Sequence, residues 1–339
     1  MIWSTPLVGF VEGECAVTSD AVYAATDSGL YRLTRDAGQP LWFARVQGLS
    51  GSKRVLARGN RVLTSGVGSV QAHDGATGTM LWERRFDVNK ASPDFADLAA
   101  DDALLYVGLR DGRSLALAQS DGQIVWEHSI ATAAWSFGGL IGGSTIAGDT
   151  LYVTANRYLS ANGFEEAAVV VALDRRTGRE LWRYQSGGID SGIGHAAVLA
   201  GATLVVTDAY TGYVIAIDAA TGVERWRRLL RGFFFGAPVV RGDTVFAATA
   251  ASRIYALAAS DGRTLWTGEL DAGATSLDVC RSELFVGDLH VEVRSASSGR
   301  RVGLAFEGSA EEIVTSLVKV VEDVAYVGTN RRLIAFRCR

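Results

Sequence analysis

A repeated pattern of Leu or Ile, four residues, Gly, three residues and Trp constrains this chain more than any other feature. A seventh copy carries Gly303 where the Trp is expected, and an eighth begins at Leu333 and is completed only by Trp3 at the other end of the chain. The spacing between successive copies is 37 to 56 residues. A period of this length indicates a propeller with one small sheet per repeat. The six copies with both residues, one of them with His73 in place of Leu or Ile, are Gly38/Trp42, Gly78/Trp82, Gly122/Trp126, Gly178/Trp182, Gly222/Trp226 and Gly262/Trp266.

Each repeat contains the signals of four strands. Two apolar runs are separated by a short turn such as Gly148-Asp149, and a third run ends in a turn such as Asp174 to Gly178, after which a fourth strand carries the Trp. Pairing residues 1–7 with the last strands removes two exposed strand edges. We therefore predict an all-β, eight-bladed β-propeller of four-stranded antiparallel blades, closed by its N-terminal strand.

The repeats leave no residues for a second domain, so we predict one domain over residues 1–339. A Trp ring on the last strand of a blade can bury on the order of 200 Å² against the next blade. Gly303 should therefore mark the weakest junction, between blades seven and eight. The predicted blades are 8–46, 47–86, 87–130, 131–186, 187–230, 231–270, 271–306, and 307–339 with 1–7.

Composition excludes several classes of function. The net charge is -4 and no basic run is present, which argues against nucleic-acid binding. No apolar run reaches the ~18 residues that a membrane span needs, and no secretory signal is visible at the N-terminus. Cys15, Cys280 and Cys338 are odd in number and scattered, so we expect no disulfide framework and a reducing cytoplasm. The alternative that this is a secreted protein whose signal was removed stays open.

The repeats, with their Asp-x-x-Thr-Gly-x3-Trp segments, resemble the pyrroloquinoline-quinone-like propeller family over the whole chain. In length the chain is most similar to stand-alone eight-bladed members, such as the outer-membrane assembly lipoprotein of Gram-negative bacteria. The related quinoprotein alcohol dehydrogenases hold their quinone under a disulfide of adjacent Cys residues, bind Ca²⁺ through Glu, Asn and Asp, and use an Asp base. No two Cys are adjacent here, so we predict no cofactor and disfavour quinone-dependent dehydrogenation.

Aromatic residues in the longest connections are the partner-binding candidates. Within a blade, the connection from the second to the third strand and the one that enters the first strand lie at the same end, so these loops should share one face. Such a face suits a protein interface. Asp94 and Phe95 belong to a further loop of this kind. In the alternative reading, Phe233 and Phe235 point into the core between blades and Trp135 caps the channel. The candidates are Trp135, Phe137, Tyr158, Phe164, Phe233, Phe234 and Phe235.

Asp190, His195 and Arg231 are candidates for the central funnel, because they lie in loops that enter blades five and six. No second His shares their loops, so we predict neither a metal site nor a set of catalytic residues. The leading hypothesis is a non-catalytic, soluble, monomeric scaffold that binds another protein. The alternative is a small-molecule binder or an enzyme that uses the funnel.

Overall fold

The computed structural model contains strands and connections but no helix in the residues that it describes. Within the described residues, thirty-two strands form eight four-stranded antiparallel sheets, which confirms the predicted all-β, eight-bladed propeller class. No described segment is a helix that could cross a bilayer. The described residues are 1–46, 54–87, 98–130, 141–158, 166–186, 192–271 and 273–338.

The chain divides into two compact units with four blades each, Met1–Phe86 with Thr275–Arg339 and Asp87–Ala274. The single domain stays a prediction. In the first unit, β1 (Trp3–Pro6) belongs to the closing blade, together with the last three strands of the chain. Blade one contains β2 (Val11–Val17), β3 (Ala21–Thr26), β4 (Gly29–Thr34) and β5 (Pro40–Arg45). Blade two contains β6 (Val55–Arg58), β7 (Arg61–Gly66), β8 (Ser69–Asp74) and β9 (Met80–Arg85).

The second unit holds blades three to six, in which consecutive strands pair in sequence order. Their strands are β10 (Ala99–Ala100), β11 (Leu104–Gly108), β12 (Arg113–Ala118) and β13 (Ile124–Ser129); β14 (Ile141–Ala147), β15 (Thr150–Tyr158), β16 (Glu166–Asp174) and β17 (Glu180–Gln185); β18 (Val198–Ala200), β19 (Thr203–Thr207), β20 (Tyr213–Asp218) and β21 (Glu224–Leu229); and β22 (Val239–Arg241), β23 (Thr244–Thr249), β24 (Arg253–Ala258) and β25 (Thr264–Glu269).

The first unit is completed by blades seven and eight. In blade eight, Trp3 of β1 pairs with Ala335, so the N-terminal strand supplies the fourth strand as predicted. The strands are β26 (Ser276–Cys280), β27 (Glu283–Gly287), β28 (Val291–Ser295) and β29 (Arg301–Phe306), followed by β30 (Lys319–Val321), β31 (Val324–Gly328) and β32 (Arg332–Arg337).

The repeated Trp joins neighbouring blades within each unit, as predicted. The Trp182 ring lies against Gly222 of the next blade, where an added Cβ would come within 2.6 Å of the ring. Its Nε1–H donates to the carbonyl oxygen of Ala219, which lies three residues before that Gly, at 3.1 Å. The same pairing of ring and carbonyl recurs for Trp3 with Arg35, Trp42 with Gly75, Trp126 with Arg175 and Trp226 with Ala259.

The junction between blades seven and eight differs, because Gly303 carries no ring. A Cβ placed on Gly303 would meet no atom within 4 Å. The prediction of no disulfide is wrong at this junction: Cys280, the last residue of β26, is bonded to Cys338, just after β32. The two residues are 58 apart in sequence but belong to adjacent strand ends of neighbouring blades, a proximity that counting Cys residues does not reveal. Cys15 is buried and free.

Cys338 also occupies a defined position in the repeat. Trp226 donates to Ala259, which lies three residues after Ala256, the residue paired with the Trp of its own blade. In blade eight, Trp3 pairs with Ala335, and Cys338 lies three residues further on. Cys338 therefore has the position of the residue whose carbonyl oxygen accepts the indole N–H at the other junctions. The disulfide joins blade seven to blade eight at that residue.

Candidate protein-binding rim

The candidate site lies in the second unit, where the loop that enters blade six is fixed by hydrogen bonds to its neighbours. The Phe234 amide donates to the Ala209 carbonyl oxygen at 3.2 Å, and the Ala250 amide donates to the Phe233 carbonyl oxygen at 2.8 Å. Gly232 has a φ of 102°, and a Cβ there would meet Ala251 at 2.7 Å. The tight turn at Gly232 thus places the three Phe residues next to the two neighbouring connections.

The three Phe side chains alternate in direction. Phe233 and Phe235 are 56% and 58% exposed, whereas Phe234 is buried among Val205, Val245 and the other residues of its core cluster. Phe234 is therefore a core residue whose ring is not available at the surface, while its amide bonds to Ala209. Phe233 and Phe235 are exposed, in contrast to the alternative in which they fill that core.

Tyr210 lies next to Ala209, to which the Phe234 amide bonds, and it was not among the sequence candidates. It is 53% exposed and lies in the connection between β19 and β20. Buried Asp208 holds this connection, since its Oδ1 accepts the amides of Tyr210 and Thr211, both at 3.2 Å, and of Gly192 at 3.0 Å. The signal in the sequence was Asp208-x-x-Thr-Gly, the repeat's own turn motif occurring outside its usual position.

We call Tyr210, Phe233 and Phe235 the aromatic rim. The two loops that carry these residues are connected to each other and to the loop before blade five, because Ala209 bonds to both Phe234 and Gly192 through backbone atoms. The loop before blade five is anchored in turn by buried Asn156, whose Oδ1 accepts the Ile193 amide at 2.6 Å. A hydrogen-bonded loop backbone beneath half-exposed rings is a preorganised arrangement, so ordering these loops costs less on binding.

Of the three proposed funnel residues, the structure describes His195 and Arg231, and each of these bonds to a different neighbouring residue. His195 is partly buried, and its Nε2 lies 2.8 Å from the Phe235 carbonyl oxygen, so that nitrogen carries the proton and donates. Its own carbonyl oxygen accepts the Thr154 hydroxyl at 2.7 Å. Arg231 is exposed, and its amide donates to the Tyr255 hydroxyl. His195 thus orients the rim loop.

Several candidates fall outside the described residues. Tyr158 is the last residue of β15, where its backbone pairs with Glu166. Among the described residues, no three His, Cys, Asp or Glu side chains converge on a possible metal position. The candidates outside the described residues are Trp135, Phe137, Phe164, Asp190, Asp94 and Phe95.

The first unit contains a separate cluster of charged residues on the first strands of its blades. Glu14 pairs with Arg54 at 2.6 Å and with Lys319 at 2.5 Å. Burial would raise the pKa of Glu14, but the two cations outweigh it and lower that pKa. Burial raises the pKa of Asp278, and this effect outweighs the hydrogen bonds that its carboxylate accepts from the amides of Val320 and Val279. Each Glu14 oxygen is occupied by a cation, so the cluster ties strands together.

The sheets, turns and joined blades define a β-propeller with pyrroloquinoline-quinone-like repeats. A family model described as "Outer membrane protein assembly factor BamB" matches residues 1–164 and 166–337, and the chain therefore belongs to that family. Outer membrane protein assembly factor BamB of Shewanella oneidensis is 26% identical over 76% of this chain and 66% of its own length. The match thus spans just under two thirds of that relative.

Solved structures show the same fold. BamB from Moraxella catarrhalis superposes with a TM-score of 0.67 at 20% identity, over 85% of this chain and 83% of that one. A quinohemoprotein alcohol dehydrogenase from Pseudomonas putida superposes with a TM-score of 0.78 at 13% identity, over 99% of this chain and 76% of the enzyme. At these identities the likeness concerns the fold alone.

The predicted cytoplasmic location is wrong. Three of the curated relatives are outer membrane protein assembly factors. The prediction relied on the absence of a visible signal and on scattered Cys residues, two of which form a disulfide in the structure. Disulfides persist mainly in oxidising compartments, which agrees with the relatives rather than with a reducing cytoplasm.

Proposed function

We propose that this chain is a non-catalytic scaffold that binds another protein during assembly of outer membrane proteins, in an oxidising compartment such as the periplasm. The aromatic rim is the contact surface in this proposal. The family supports the general role, because the relatives are named assembly factors of the outer membrane. The rim is the observation that supports this choice of surface.

Exposed aromatic side chains on a bonded scaffold favour a protein partner. Tyr and Phe are enriched at the centres of protein interfaces, where they bury large apolar areas. Tyr210, Phe233 and Phe235 leave more than half of each side chain in solvent, while Phe234 beneath them anchors the loop. His195 donates from Nε2 to the Phe235 carbonyl oxygen and so helps to hold the backbone of the loop that presents these rings.

The test replaces Tyr210, Phe233 and Phe235 by Ala in one variant. Loss of three interfacial aromatics at about 1 to 2 kcal/mol each should weaken partner binding by more than about a hundredfold. Stability should change little because the side chains are half exposed. The assay measures co-purification of outer membrane assembly proteins with the tagged chain from its native envelope. It is paired with the level of inserted outer membrane proteins in cells that carry only the variant.

The matched control is the double variant Val223→Ala/Leu229→Ala. Both residues are comparably exposed, at 63% and 58%, but they flank or lie in the outer strand of blade five. We expect the control to behave as the unsubstituted chain. Equal co-purification by the rim variant and the control would refute the rim as the contact surface.

A further inference from the structure

The position left empty at Gly303 has the surroundings of an indole site. In blade four, Tyr152, Ala172 and Trp182 face one another across three paired strands, with the two rings 5.8 Å apart. Blade seven aligns Phe285, Val293 and Gly303 in the same pairing. Phe285 therefore has the place of the ring that packs on Trp in five other blades, but the Trp itself is missing.

A cavity occupies the missing ring's position. Its volume is about 140 Å³. Phe285, Val293, Gly303 and, from blade eight, Phe336 line it, together with the charged residues Glu283 and Arg337. The outer wall is formed by Val302 and Leu304, which are 47% and 39% exposed, so a ligand can enter from the side of β29. Engineered apolar cavities of about 150 Å³ bind benzene, so this one is large enough for an aromatic ring.

We propose that this cavity is a binding site for an indole ring supplied from outside the chain. The repeat itself defines the ligand, because five described junctions fill the equivalent position with an indole that packs on the next blade. Phe285 and Phe336 provide aromatic neighbours for offset or edge-to-face contacts. This inference is independent of the aromatic rim, which lies in the other unit.

Indole titration tests the proposal directly. Indole has few atoms, so we expect saturable binding with a dissociation constant of roughly 0.1 to 1 mM, measured by ligand-observed nuclear magnetic resonance. Gly303→Trp places an indole on the chain itself, and its Cβ has free space. Affinity for added indole should then fall at least tenfold. The control Val223→Trp adds an exposed indole elsewhere and should leave the titration unchanged.

A second variant keeps the test valid if Gly303→Trp fails to fold. Six other blades carry Ala at the position of Val293: Ala72, Ala116, Ala172, Ala216, Ala256 and Ala335. Val293→Ala should enlarge the cavity and preserve or tighten indole binding. N-acetyl-tryptophanamide then distinguishes the source, because its binding indicates a Trp side chain of a polypeptide, whereas binding of indole alone indicates a small aromatic molecule. Absence of saturable indole binding, or binding that Gly303→Trp leaves intact, would overturn the proposal.

Discussion

Removing the Cys280–Cys338 disulfide should destabilise the first unit, because that junction has no Trp to join its blades. The bond closes a loop of 58 residues. The chain-entropy relation assigns about 4 kcal/mol at 25 °C to a loop of that length. With an unfolding entropy of about 2.1 cal/mol/K per residue over the whole chain, that free energy corresponds to a loss of about 6 °C in thermal midpoint.

The perturbation is the double variant Cys280→Ala/Cys338→Ala. It is compared with two forms of the unsubstituted chain: the oxidised form, and a reduced form obtained by unfolding and refolding in the presence of reductant. Calorimetry measures the thermal midpoint of each. We expect the double variant and the reduced chain to melt at similar temperatures, both about 6 °C below the oxidised chain. The control is Cys15→Ala, which removes the buried free thiol and keeps the disulfide. Reduction should lower the thermal midpoint of this variant by the same amount as that of the unsubstituted chain.

Two results would refute this reasoning. One is equal thermal midpoints for the oxidised and reduced chains, which would mean that other contacts hold blades seven and eight. The exposed ion pair between Arg281 and Asp323 links the same two blades, but exposed pairs contribute only about 0 to 1 kcal/mol. The other is a failure of Gly303→Trp to recover any of the lost midpoint in the background of the double Cys variant.

Two further predictions concern the second unit. Gly222→Ala should lower the free energy of unfolding in urea by about 1–3 kcal/mol more than Gly201→Ala does, because both positions have positive φ but only Gly222 lies against a Trp. Equal losses for the two variants would show that the Trp contact is not the cause. Hydrogen bonds from Arg225 and then from Thr221 lower the pKa of Asp218 from 3.8 to about 2, so its stabilisation is complete above pH 3.8 and is lost as the pH falls through 2. Asp218→Asn should therefore destabilise the protein at pH 7 and progressively less between pH 4 and pH 2; a constant difference across that range would contradict the assignment.

The blades were predictable from sequence because their determinants are local and repeated. A Gly that must adopt positive φ and a Trp four residues later fix a turn and a strand together, as Gly222 and Trp226 show. The same spacing placed Trp3 opposite Ala335. Each of these positions is specified within one repeat or by comparison between repeats.

The disulfide and the rim depend on contacts between repeats, which spacing alone does not specify. Cys280 and Cys338 become neighbours only when two blades pack side by side. The sequence indicated the Phe233 to Phe235 loop, but its hydrogen bond to Ala209 decides which ring faces solvent. Tyr210 lies in a turn motif that is common in this sequence, so the sequence did not mark it as a candidate. Its exposure depends on how the neighbouring loops hold that turn.

Site-specific photocrosslinking tests the central claim, that the aromatic rim binds another protein, most directly. A photoreactive phenylalanine analogue is placed at Tyr210, Phe233 or Phe235 in cells, with Val223 and Leu229 as equally exposed control positions. The rim positions should each give an adduct with the same outer membrane assembly protein, and the control positions should give none. Adducts from the control positions with none from the rim would contradict the claim.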